Sequence, residues 1–124
     1  MPEPLEEVLA FFRESSGSPD DMLSAMRCRF TAETRWENVG VASTVGVDQA
    51  VQFVAGFLEK IPFTRCEVVV HHAAACGDTV LTERSDIFYG ADGAEMVALR
   101  LMGALQMDGP YIVAWRDYFD TSGF

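Results

Sequence analysis

The stretch Tyr111-Ile112-Val113-Ala114-Trp115-Arg116-Asp117-Tyr118-Phe119-Asp120 reads as a long strand with an acid set in an apolar stripe. Side chains on a strand alternate between two faces. Tyr111, Val113, Trp115, Asp117 and Phe119 therefore share one face. A carboxylate among core-forming aromatics is costly unless something pairs with it. The fold and the function both turn on what meets Asp117.

Working outward, Arg65 to Ala75, Thr79 to Tyr89 and Ala94 to Met107 also read as strands. Gly77-Asp78, Ala91-Asp92-Gly93 and Asp108-Gly109-Pro110 are the turn signals between them. Strands in sequence with such short links predict an antiparallel meander. The first half of the chain has the helical period instead. Leu5, Val8, Leu9 and Phe12 form one apolar face. Ser18 caps a second helix, with Pro19 in its first turn and Asp21 three residues after the cap. Met22, Leu23, Met26 and Phe30 make its buried side. Thr34 to Val39 has strand character, and Gly40 to Gly46 is a polar connection. Asp48 caps a third helix striped by Val51, Val54, Phe57, Leu58 and Ile61, and Pro62 stops it. Helices first and sheet second make an α+β chain. Residues 1–124 are read as one domain. A long, twisted sheet curling around a helix encloses a pocket.

Composition narrows the partners. Hydrophobic residues are 49% and charged residues 23%, an ordinary globular balance. Nine basic against nineteen acidic residues give a net charge of −10, which argues against nucleic acid or an anionic membrane. No apolar run approaches the ~20 residues of a membrane span. The N-terminus lacks the basic region of a secretory signal. Cys28, Cys66 and Cys76 read as free thiols of a reducing compartment. The protein is expected in the cytoplasm.

On the strand Thr79 to Phe88, Arg84 and Asp86 share a face with Val80, Thr82 and Phe88, while Glu83 and Ser85 lie on the other with Leu81 and Ile87. Alternation leaves open which face is inward. If Arg84, Asp86 and Asp117 meet in one pocket, a guanidinium that cannot lose its proton sits between two carboxylates. A dry pocket resists the second ionisation, so one acid tends to keep a proton. The result is a base and an acid held by one Arg fork, which suits activating a water while protonating a leaving oxygen.

Thr82-Glu83-Arg84-Ser85-Asp86, Trp115-Arg116-Asp117-Tyr118-Phe119-Asp120 and Trp36-Glu37-Asn38-Val39-Gly40 together resemble the limonene-1,2-epoxide hydrolase family in order and spacing. The resemblance implies a curved mixed sheet forming a cone-like roll, with N-terminal helices packed in its concave side. It implies one-step, cofactor-independent and metal-free opening of an apolar epoxide by water, giving a vicinal diol. Carried over, Asp117 is the base that deprotonates water. Asp86 is the acid that protonates the epoxide oxygen, Arg84 bridges and orients both, and Asn38 helps to hold the water. Phe57, Ile61, Phe63, Cys66, Phe88, Leu99, Leu101, Phe119 and Phe124 are the expected apolar walls. The family commonly has Tyr where this chain has Trp36, whose indole offers one donor and no acceptor. Two outcomes are open for Trp36: it donates to the water, with Asn38 and Asp117 accepting its protons, or its bulk reshapes the pocket or displaces the water. By analogy of fold, a homodimer is expected.

Two other functions fit the same fold. An isomerase or dehydratase needs a Tyr or His donor in the pocket, and Tyr118 falls on the face opposite Asp117. A non-catalytic protein binding small hydrophobic ligands keeps the pocket and loses the water site. His71 and His72, adjacent on a strand, are expected to face opposite ways, without a third ligand for a metal. Arg100 faces either solvent or a subunit interface.

Overall fold

Helix α1 spans Pro4–Ser15 and α2 spans Pro19–Arg29 in the computed structural model, which describes residues 3–123. The predicted α2 cap is present as a reciprocal pair. The Asp21 N–H donates to Ser18 Oγ at 3.1 Å, and the Ser18 N–H donates to the Asp21 carboxylate at 2.9 Å. The buried face of α1 is Val8, Phe11, Phe12 and Ser15, an i, i+3, i+4, i+7 set. Phe11 is fully buried where the expected stripe had Leu9, which is half-buried. Phe30 does not extend α2 but begins strand β1, Phe30–Asn38. Arg29 ties this corner together, donating to Glu7 at 2.6 Å, to Glu14 at 2.9 Å and to the Pro110 carbonyl at 3.1 Å.

The remaining elements are β2 (Ala42–Val45), α3 (Val47–Lys60), β3 (Arg65–Cys76), β4 (Thr79–Tyr89), β5 (Glu95–Asp108) and β6 (Tyr111–Tyr118). They form one sheet in the order β2-β1-β6-β5-β4-β3. The β3–β6 meander is antiparallel, as its turn signals predict, whereas β1 joins β6 in parallel. The sheet is therefore mixed, and Asn38 becomes the direct neighbour of Asp117. The stretch expected as a connection holds β2, a short edge strand paired with Arg35–Asn38. Gly46, not Asp48, is the N-cap of α3. Gly46 has φ +85°, and a Cβ there would meet the Ala32 carbonyl oxygen at 2.8 Å, so glycine is required for this turn.

Two bulges change which side chains face inward. Ile112 and Ala114 of β6 oppose consecutive residues Met107 and Gln106 of β5, leaving Val113 as the extra residue. Tyr111 and Val113 consequently face solvent, at 47% and 37% exposure, and Ile112 turns into the core. The expected odd-numbered stripe holds only from Trp115 onward. In β3 the extra residue is His71. Both imidazoles are exposed on the outer face, His71 against Ser85 Oγ at 2.8 Å and His72 near Glu83 at 3.7 Å. They do not face opposite ways.

The inner face of this α+β roll is covered by the helices. Val8, Phe11 and Phe12 of α1, Met26 of α2 and Val54 of α3 pack on Trp36, Val80, Leu105, Ile112 and Trp115. Phe63, Cys66 and Phe88 form a second, smaller cluster. No helix among the described residues is long and apolar enough to cross a membrane.

Candidate active site

The inward face of β4 is the one carrying Val80, Thr82, Arg84 and Phe88, all buried. Asp86 lies on the same face with its side chain 17% exposed. Arg84 reaches across β5 to Asp117 on β6. Its Nη1 and Nη2 donate to Asp117 Oδ1 and Oδ2 at 2.9 and 2.8 Å. On its other edge, Nε and Nη2 donate to Asp86 Oδ1 and Oδ2 at 3.4 and 3.3 Å. The second proton of Nη1 goes to Thr82 Oγ1 at 3.2 Å. All five donors of the guanidinium fork are thus used. Its carbon sits 4.4 Å from the centre of the Phe12 ring, and its side chain is fully buried.

The two carboxylates are held unequally. Asp117 accepts a third short bond, from Trp115 Nε1 to Oδ1 at 2.8 Å. Oδ1 then has two N–H partners and Oδ2 one, which leaves a lone pair on Oδ2. Among the described residues, Asp86 has only its two long bonds to Arg84. Burial pushes the Asp86 carboxyl above the usual carboxylate range, and the charge of Asp117 adds to this against the pull of Arg84. Burial alone would weaken the charged form of Arg84, but the two carboxylates outweigh it and hold Arg84 above its ordinary range.

Both acids open onto a cavity of about 730 Å³. Trp36, Asn38, Phe57, Ile61, Cys66, Phe88, Leu99, Leu101 and Phe119 line it. Arg84 lies behind the wall. Phe63 is 3% exposed and stands one layer back, packed on Phe57 and Phe88 with ring centroids 6.0 and 4.8 Å away. Phe124 lies outside the described residues. Trp36 presents its ring, but its Nε1 is shut away from solvent without a hydrogen-bond partner. Its N–H does not reach the cavity, so of the two outcomes open for Trp36 donation to a water there is the one the structure does not favour. Walls not foreseen come from Phe12, Met22, Met26, Phe53 and Val54 of the helices and from Trp115. The helix patterns marked most of these as core, and a core face and a cavity wall give the same apolar period. Burial, then the charge of Asp86, pushes the Cys66 thiol up to about 12, so it is a neutral wall group. Among the described residues, no three His, Cys, Asp or Glu side chains are grouped to hold a metal ion.

The limonene-1,2-epoxide hydrolase catalytic domain family matches residues 8–124. The epoxide hydrolase EphG of Mycobacterium tuberculosis is 33% identical over 86 residues, covering 69% of this chain and 54% of that protein. The match therefore spans about half the length of that relative. A solved M. tuberculosis LEH-like epoxide hydrolase superposes with a TM-score of 0.74 at 25% identity, covering 94% of this chain and 82% of that one. A SnoaL-like polyketide cyclase from Shewanella denitrificans superposes at 0.78 with 12% identity, covering 97% and 92%, a likeness of fold alone.

Proposed function

This chain belongs to the limonene-1,2-epoxide hydrolase family, and from that premise we propose that it adds water to an apolar epoxide in one step, giving a vicinal diol. The observation that carries this reading is the unequal holding of two acids by one buried guanidinium. Asp117, with three short N–H bonds, is the carboxylate, and Asp86, with two long ones, is the acid. Water beside Asn38 gives its proton to the open lone pair of Asp117 Oδ2. Its oxygen attacks an epoxide carbon as the C–O bond breaks. The epoxide oxygen takes the proton of Asp86. The trio is neutral before and after, so no charge accumulates in a dry site. Arg84 fixes the two acids relative to each other, and Trp36 is wall rather than water ligand.

The cavity lies within the ~300–1,000 Å³ of pockets that take drug-sized ligands, so a bulky terpene-, lipid- or steroid-like epoxide fits the reading. Neither Tyr nor His is among the described residues that line it, which favours hydrolysis over an isomerase or dehydratase needing such a donor. We place the protein in the cytoplasm as a homodimer. Leu81, Met102 and Tyr118, exposed on adjacent strands of the outer face, support the pairing. The test is incubation with limonene oxide, cyclohexene oxide and longer lipid epoxides. Diol is expected, with kcat about 10²–10⁴-fold lower in Asp117→Asn. No diol from any of them, or full rate in that variant, contradicts the mechanism.

A further inference from the structure

The Arg84–Asp117 pair joins strands that are not neighbours. β5 lies between β4 and β6, so the two backbones are two strand spacings apart, about 10 Å. The guanidinium must cross the inner surface of β5 to reach its carboxylate. It crosses at Gly103, whose cross-strand partners are Thr82 on one side and Asp117 on the other. A Cβ on Gly103 would stand 2.5 Å from Asp117 Oδ1, 2.6 Å from Arg84 Nη1 and 3.1 Å from Thr82 Oγ1. The first two distances are shorter than real Cβ contacts allow, and both fall on the ion pair. The backbone makes no such demand, because Gly103 is not among the glycines with positive φ. Any residue could adopt its extended conformation. Glycine in a central strand otherwise weakens it, and its use there commonly marks a close approach.

We propose that Gly103 is a positioning residue of this site: its missing side chain is the gap through which Arg84 reaches and orients Asp117. A methyl group at this point displaces the carboxylate from the fork and turns Oδ2 away from the water. The consequence for rate rests on the hydrolase reading above, whereas the consequence for the ion pair does not.

The experiment is Gly103→Ala, alone and combined with Asp117→Ala. For the single variant, kcat should fall about 10²-fold, the effect of misplacing a reacting group by an ångström, with KM within about twofold. The melting temperature supplies a readout independent of turnover. Ala at position 103 should lower it clearly when Asp117 is present. It should lower it by less than about half as much, or raise it, when residue 117 is Ala and the first clash is gone. A single variant that fails to fold, rescued by Asp117→Ala, supports the proposal equally. An equal loss of melting temperature in both backgrounds, or no fold in either, makes Gly103 an ordinary packing residue and overturns it. Wild-type kcat in a folded Gly103→Ala protein also overturns it. If wild type itself turns over no epoxide, the hydrolase reading fails while the melting comparison still decides the role of Gly103.

Discussion

Trp36 and Trp115 stack with ring centroids 5.0 Å apart and planes inclined by 18°, yet only Trp115 donates to a carboxylate. This pair offers a matched test, because Trp→Phe removes the same atoms at either position. Trp115→Phe also removes the N–H bond that occupies Asp117 Oδ1, so its kcat should fall at least about tenfold further than that of Trp36→Phe, for a charge-assisted bond worth roughly 1.5–3 kcal/mol. Equal losses would mean that both indoles act only by packing. At Asp86 the prediction concerns pH. Its folded-state value is raised above the ordinary 3.8. The stabilisation from the protonated group is therefore complete below that ordinary value and is lost as pH rises through the folded one. Turnover should fall over the same alkaline step, since the acid must hold its proton. Asp86→Asn should lower kcat by about 10²–10⁴-fold and abolish that limb of the pH–rate profile. Asp117 was legible as an anomaly, an acid flanked by Trp115 and Phe119 on one face. The indole bond was within reach too, since residues two apart on a strand share a face. The burial of the Trp36 N–H was not, because it depends on tertiary packing around a ring that touches Phe30, Phe53 and Trp115.

Helix α2 shows what local sequence specifies well. Ser18, Pro19 and Asp21 form the predicted cap without help from the rest of the fold. Ser18→Ala should cost about 1 kcal/mol and lower the melting temperature by roughly 4 °C, measured by calorimetry; no change would mean that the cap is redundant with the Arg29 corner. Strands are less local. The extra residues Val113 and His71 appear only once partners are paired, because a bulge is defined by two residues opposing one. Strict alternation therefore misplaced Tyr111 and Val113 and sent His71 and His72 to different faces. Strand β2 was missed for a similar reason. Its Ala-Ser-Thr-Val sequence has little strand character alone and is held by its ladder to β1. Gly103 carried a usable signal, a glycine inside a strand pattern, but its meaning required knowing that Arg84 passes over it.

At the scale of the whole molecule, helices before sheet gave the α+β class, and the resemblance supplied a curved, mixed sheet, but the parallel entry of β1 beside β6 came from the structure. That entry sets Asn38 beside Asp117, a contact between residues 79 positions apart that no local pattern specifies. The proposed homodimer would pair through the outer face of the sheet, where Leu81, Met102 and Tyr118 are about half exposed. Light scattering should give a dimer for the wild type and a monomer for Met102→Glu; a monomer in both, or a dimer in both, would reject that face as the interface. The chemistry is best tested in a single turnover, with the protein in excess over a bulky epoxide in heavy-oxygen water. Direct attack by the water beside Asp117 predicts the heavy label in the diol from the first turnover and none in the protein. Unlabelled diol with the label in the Asp117 carboxylate would mean a covalent intermediate, and would contradict the one-step role assigned to the Arg84, Asp86 and Asp117 trio.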